Sequence, residues 1–132
     1  MADVLSQKSR DLITRPVLAS LATVNPDGSP QVTPVWVDLE GDHVVFNTVR
    51  GRKKARNLAR DGRVAATVVD PDDPYNVVAF EGTVIDVTHE GADAHIDAMA
   101  KKYLGVDTYP KRREGDVRVR VLVRTDRITM ES

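Results

Sequence analysis

The apolar positions of the chain change their spacing several times, and each change predicts a structural element. Residues 4 to 13 carry apolar side chains at loosely helical spacing, and Pro16 ends this pattern. Helical spacing returns in residues 51 to 62, which end at a glycine, and again in residues 89 to 105. The pattern predicts three helices: a short N-terminal helix that covers the core, a helix of about three turns, and a second main helix.

Between these helices, apolar residues alternate with polar ones or form short runs that end at turn residues, as they do in β-strands. Pro34 lacks a backbone N–H, so it marks an edge, a bulge or a place where the backbone faces a ligand. Gly82 is predicted to form a bulge. Six strands are predicted, over residues 17–24, 31–40, 43–49, 63–70, 75–88 and 117–130.

Six strands with only short helices predict one mainly β domain that spans residues 1–132. We expect an antiparallel barrel that is closed or nearly closed, because closure removes exposed strand edges. An open sheet of the α+β class is the alternative. The length and the 41% of hydrophobic residues suit a single core.

The composition argues against several classes of function. Nineteen basic residues balance twenty acidic ones and only 5% of the residues are aromatic, so we expect no nucleic-acid partner. Cysteine is absent, which excludes disulfides and thiolate chemistry. No apolar run approaches the roughly 20 residues of a membrane helix, so we expect a cytoplasmic protein without a membrane partner. His89 and His95 lack the spacing of a helical zinc pair, so no metal is expected and both are interpreted as surface residues.

The segment TVRGRKKARNLAR, residues 48–60, holds six basic residues in a chain whose formal net charge is −1. Four of them, from Arg50 to Lys54, fall in or beside the first turn of a predicted helix, where the free N–H groups and the helix dipole are already positive. A bound anion would relieve this clash, and phosphate is the obvious candidate. Arg52 and Lys54 flank the core-facing line of the helix and are the favoured ligand contacts. The alternative is a solvated basic surface.

Four linked motifs, PQVTPVWV, FNTVRGRKKARNL, RVAATVVD and VAFEGTV, closely resemble the split-barrel flavin and deazaflavin oxidoreductases, the superfamily of pyridoxamine 5'-phosphate oxidase. The resemblance runs through nearly the whole chain and is closest to the actinobacterial branch that uses the deazaflavin coenzyme F420. It implies a six-stranded antiparallel Greek-key barrel of the FMN-binding split-barrel type. It also implies a homodimer with a cofactor in each of two clefts between the subunits.

The resemblance also implies roles for individual residues. Arg52 and Lys54, with Lys53 as a helper, match the basic residues that hold the cofactor phosphate or its acidic tail. Asn57 is expected to anchor the start of the helix, and Tyr75 matches an aromatic residue that reaches the cofactor from the other subunit. The segments TPVW and NTV match those that lie beside and under the ring system. The implied cofactor-binding residues are Thr33, Pro34, Val35, Trp36, Asn47, Thr48, Val49, Arg52, Lys53, Lys54, Asn57 and Tyr75.

Three of these residues also have a purely structural interpretation. Trp36, the single tryptophan, suits the core or a dimer interface. Thr48 could satisfy the start of the helix with its hydroxyl. Tyr75 could be an ordinary surface aromatic beside a turn.

The resemblance implies a reductase in which reduced F420 transfers a hydride to a small organic acceptor such as a quinone, an enone or a tetrapyrrole. No catalytic residue of the protein is assigned, because the cofactor supplies the reaction and the protein supplies orientation and dry surroundings. One alternative is an FMN-dependent enzyme similar to pyridoxamine 5'-phosphate oxidase. The other is a non-enzymatic protein that binds a cofactor or haem.

Overall fold

The computed structural model describes residues 3–132, which contain all three predicted helices. They are α1 (Gln7–Thr14), α2 (Lys53–Arg60) and α3 (Ala92–Leu104). The side chain of Ser6 accepts a hydrogen bond from the backbone N–H of Ser9 and so caps α1. None of the helices within residues 3–132 has both the length and the apolar character that a membrane crossing requires.

Seven strands form one sheet in which every pair is antiparallel. The order of the strands across the sheet is β2-β1-β5-β6-β7-β4-β3. The bounds of the strands are β1 (Ala19–Val24), β2 (Pro30–Val35), β3 (Asp38–Glu40), β4 (His43–Val49), β5 (Arg63–Asp70), β6 (Asp73–Thr88) and β7 (Arg118–Glu131).

The prediction of six strands was wrong in one place, residues 31–40. This stretch divides at Trp36 and Val37 into β2, which pairs with β1, and β3, which pairs with β4. The alternating pattern continues through both halves, so sequence alone did not reveal that their partners differ. The fold is mainly β, and its antiparallel sheet is open, because β2 and β3 form its two edges and do not pair with each other. The expected full closure of the barrel was therefore wrong.

The two-residue connection between the edges forces the sheet to roll up. Three Cα–Cα steps from Val35 to Asp38 span at most about 11 Å, whereas the edges of a flat seven-stranded sheet would lie about 29 Å apart. The sheet must therefore curve until its edges nearly meet. The inward side chains of the curved sheet, together with Leu12 and Ile13 of α1, form a single core.

Gly82 lies at a point where β6 runs close against β7. A Cβ atom at this position would lie 2.6 Å from the backbone oxygen of Arg124 and 2.8 Å from a methyl carbon of Val123. The register of β6 against β7 shifts between Glu81 and Gly82, so the predicted bulge is confirmed. The absent side chain thus allows the bend that curves the longest strand.

The C-terminal end of α3 fastens this helix across the corner between β2 and β3. The ammonium of Lys102 donates to the backbone oxygens of Ile13 and Val37, at 2.9 and 2.6 Å. The hydroxyl of Tyr103 donates to Val17 O at 2.7 Å and accepts from Val37 N–H at 3.0 Å. Burial lowers the pKa of Lys102, while the charge of Asp38 acts in the opposite direction. We call these contacts the corner clamp.

An ion pair joins the end of α1 to β5. Arg15 donates to the carboxylate of Asp70 at 2.7 Å, and the side chain of Asp70 is only 8% exposed. The hydrogen bond from Arg15, followed by that from the backbone N–H of Asp72, lowers the pKa of Asp70 to about 2. The folded state therefore favours the ionised carboxylate.

Gly82→Ala should destabilise the protein by about 1–3 kcal/mol, because the added methyl group must displace backbone atoms of β7. Gly62→Ala is the matched control, since its nearest contact would be an ordinary 3.6 Å to Val84 O. Urea unfolding of both variants measures the difference. Equal stabilities would show that the close approach at Gly82 does not constrain the sheet.

The pairing of Asp70 predicts a loss of stability in acid. Because its folded-state pKa lies below the ordinary value of 3.8, the stabilisation is complete above that value and disappears as the pH falls through about 2. Asp70→Asn should therefore unfold at a lower temperature than the wild type at neutral pH. The difference should shrink towards pH 2, while Asp107→Asn on an exposed loop should change little. A constant difference across this range would contradict the assignment.

Candidate functional site

A pocket of about 320 Å³ opens beside the corner between β2 and β3. Its walls come from β2, β4, α3, the N-terminal end of α2, the loop before β7 and the start of β7. Seven of the predicted site residues line it: Pro34, Val35, Trp36, Asn47, Thr48, Arg52 and Lys54. Five further lining residues were not predicted: Leu18, Ile96, Met99, Tyr109 and Arg118.

The N-terminal end of α2 supplies the positive charge at the pocket. Arg52 is the N-cap residue, no side chain caps the helix there, and the first turn contains no acidic residue. Lys54 is half-buried, and this burial, followed by the charge of Arg52, lowers its pKa. Neither cation forms an ion pair within residues 3–132. The arrangement suits an anionic group such as a phosphate.

Asn57 fixes α2 in this orientation. It is 1% exposed, and its amide donates to Thr23 Oγ1 at 3.0 Å and to Asn25 Oδ1 at 3.1 Å. Its oxygen accepts from Arg60 at 3.1 Å, and Arg60 also donates to the carbonyl of Val24. The structure thus ties the helix to β1 and the following turn, which agrees with the predicted anchoring role of Asn57 rather than with direct ligand contact.

Aromatic side chains form one wall of the pocket. The ring of Trp36 stacks on Tyr103, with centroids 5.1 Å apart and planes 11° from parallel. Tyr109 meets Trp36 edge to face at 5.9 Å. The corner clamp holds Tyr103 in place, and the stacking of Trp36 on Tyr103 therefore sets the orientation of the Trp36 ring. Such a flat, apolar wall suits a planar ring system.

A polar pair, Asn47 and His95, lies at the same pocket, which Asn47 lines. The amide nitrogen of Asn47 donates to Ala92 O at 2.9 Å and lies 3.0 Å from Nδ1 of His95. Burial lowers the pKa of His95, with Asp38 acting in the opposite direction. The expectation that His95 lies on the surface was wrong, because the ring is half-buried against β4.

Five of the predicted residues do not line the pocket in a single chain. Val49 is buried in strand β4, Lys53 points to solvent, and Asn57 lies beneath the helix. Thr33 is half-buried, one residue before the lining segment of β2. Tyr75 is 85% exposed and does not line the pocket.

The missed residues lie far from the basic segment in sequence. Ile96 and Met99 follow the helical stripe of α3, which indicated burial but not which cavity they face. Arg118 belongs to the row of alternating arginines in β7, and sequence gave no sign that it differs from the exposed ones. Tyr109 lies on an irregular loop, whose path a periodic pattern does not predict.

A second, shallower groove of about 600 Å³ lies beside β1, β5 and β6. Its charged side chains all form ion pairs: Arg127 with Glu81 at 3.5 Å, Arg63 with Asp61 at 2.7 Å and Asp126 with Arg124 at 2.6 Å. The groove therefore offers less unpaired charge to a ligand. Within residues 3–132, no cluster of three or more His, Cys, Asp or Glu residues is arranged to hold a metal ion. The pocket at the corner is therefore the better candidate.

Solved structures share this architecture over almost the whole chain. An F420 reductase has a TM-score of 0.83 and 31% identity, and the match covers 95% of this chain and 98% of that one. A conserved hypothetical protein from Mycobacterium tuberculosis has a TM-score of 0.73 and 25% identity over 97% and 86% of the two chains. HupZ of Group A Streptococcus has a TM-score of 0.67 and 25% identity over 94% and 91%.

The comparison with curated proteins gave no match. The comparison with protein families matched pyridoxamine 5'-phosphate oxidase over residues 5–129. This range includes every strand except the last two residues of β7, and it contains the whole pocket. The resemblance seen in the sequence motifs is confirmed: the chain belongs to the pyridoxamine 5'-phosphate oxidase family.

Proposed function

We propose that this protein is an F420-dependent reductase that transfers a hydride from the reduced deazaflavin to a small organic acceptor such as a quinone, an enone or a tetrapyrrole. The observation that carries the proposal is the pair Arg52 and Lys54, two cations without a carboxylate partner within residues 3–132, beside an aromatic pocket. The likeness to an F420 reductase at 31% identity supports the deazaflavin over other cofactors.

The lining of the pocket fits such a cofactor in two parts. The N-terminal end of α2 offers free backbone N–H groups and the charges of Arg52 and Lys54 to a phosphate or an acidic tail. Trp36, with Ile96 and Met99, offers apolar surface to a planar ring. When bound, the reduced cofactor would supply the hydride, and these residues would orient it and exclude water from the reacting atoms.

We also propose that the active form is a homodimer. Tyr75 is 85% exposed although it is aromatic, and Leu18 at the pocket is 54% exposed. A second subunit that covered these side chains would place Tyr75 near the partner's pocket and close the open side of each site.

FMN is the second candidate cofactor, and membership of the pyridoxamine 5'-phosphate oxidase family favours it. Its phosphate would occupy the same positive end of the pocket, so Arg52 and Lys54 serve either cofactor. A non-enzymatic binding protein would use the same contacts without turnover.

Titration of the cofactor-free protein with F420 and with FMN, followed by cofactor fluorescence, tests the proposal. We expect F420 to bind more tightly, and we expect added salt to weaken its binding because the contacts are ionic. Arg52→Ala and Lys54→Ala should each weaken binding by about 1–3 kcal/mol, as expected for a charge-assisted contact.

Arg56→Ala is the matched control, because this exposed side chain lies outside the pocket on the same helix. Its effect should stay within about 0.5 kcal/mol. Tighter binding of FMN would show that the proposed cofactor is wrong, while the fold and the proposed site would stand. If Arg52→Ala and Lys54→Ala bound as tightly as the wild type, the basic segment would be a solvated surface.

A further inference from the structure

Arg118 is a buried cation at the start of β7. It is 4% exposed, which makes it the one buried arginine within residues 3–132. Arg118 is one of the residues that line the pocket, together with Asn47 and Tyr109. A buried charge is unfavourable unless opposite charge or hydrogen bonds compensate for the lost water.

The other partly buried arginines of the described chain have such compensation. Arg10 pairs with Asp42 at 3.6 Å, Arg15 with Asp70 at 2.7 Å, and Arg120 with Glu40. Arg118 forms no ion pair with any carboxylate of residues 3–132. The most deeply buried guanidinium is thus the one that lacks a counter-charge.

The contacts of Arg118 leave one edge of its guanidinium free. Nη1 donates to Asn47 Oδ1 at 3.4 Å, and Cζ lies over the ring of Tyr109, 4.6 Å from its centroid. Nε and Nη2 are buried and have no hydrogen-bond partner within residues 3–132. These two nitrogens form the side of the guanidinium whose N–H groups point in parallel, the geometry that receives two oxygens of a carboxylate.

We propose that Arg118 forms a second anion-recognition site inside the pocket, which binds a planar, delocalised anionic group through Nε–H and Nη2–H. Asn47 and Tyr109 position the guanidinium for this contact. Arg52 and Lys54, at the N-terminal end of α2, are a separate cationic group suited to a phosphate. The pocket therefore recognises two anionic groups, one at α2 and one at β7.

Two sources could supply the planar group. One is a carboxylate on the acceptor substrate, and the other is the carbonyl edge of the cofactor ring, which gains negative charge on reduction. The second source rests on the proposed function, whereas the first requires only that a substrate enters this pocket. The carboxylate and the ring edge would each present two electronegative atoms in one plane to Nε–H and Nη2–H of Arg118.

Binding measurements on the wild type, Arg118→Lys and Arg118→Gln test the assignment. Arg124→Gln is the matched control, because Arg124 lies on the same strand but pairs with Asp126 away from the pocket. Benzoate and the neutral benzamide probe the carboxylate, with Trp36, the single tryptophan, as a fluorescence reporter in the pocket wall. Oxidised and reduced F420 probe the ring, and circular dichroism checks that each variant folds.

If a substrate carboxylate is the source, the wild type should prefer benzoate to benzamide by about tenfold, and both Arg118 variants should lose this preference. If the ring is the source, the variants should weaken the binding of reduced F420 by about tenfold more than that of the oxidised form. Arg118→Lys should retain part of either effect, because the charge remains without the fork. Arg124→Gln should behave as the wild type.

The proposal is overturned if neither preference depends on Arg118 in folded variants, since the residue then has a structural role only. If the variants fail to fold, measurements on the wild type still test the proposal. The proposal is overturned if the wild type prefers neither benzoate to benzamide nor reduced to oxidised F420. It is also overturned if such a preference is not accompanied by a change in Trp36 fluorescence. Benzoate binding that depends on Arg118 in a protein that binds neither F420 nor FMN would remove the proposed function and leave this inference standing.

Discussion

The short passage from β2 to β3 is the constraint on which the rest of the molecule depends. Two residues join strands at opposite edges of a seven-stranded sheet, so the sheet has to curl until those edges approach. The missing side chain of Gly82 lets the central strand, β6, lie close against β7. The corner clamp then holds the two edges with α3, and the pocket forms where the rolled sheet remains open.

The distribution of charge follows from this architecture. Within residues 3–132, most partly buried cations pair with carboxylates. The exceptions in this described part of the chain are Lys54 and Arg118, and both line the pocket. Unpaired charge in a partly dehydrated space raises the free energy of the ligand-free protein. A bound ligand of opposite charge lowers that free energy. The balance of the whole chain, close to zero, conceals this local excess.

Local patterns were sufficient to predict most of the fold, but not the connection at Trp36 and Val37. Helical and alternating spacing report which face of an element is buried, and they identified all three helices and most strands. They do not report which strand pairs with which, so β2 and β3 were predicted as a single strand. The basic end of α2 was recognisable because it breaks a local electrostatic rule. Arg118 obeys the alternation of its strand, so its burial follows only from the tertiary structure.

The pocket brings together residues from Leu18 to Arg118, so its walls do not exist in any local part of the chain. The corner clamp likewise joins residues 65 to 89 positions apart. Contacts of such long range require the loops between them to close. During synthesis, the basic helix would therefore leave the ribosome well before β7 completes the cavity. Ligand capture is then coupled to the last steps of folding, and a bound ligand would preferentially retain chains that have completed them.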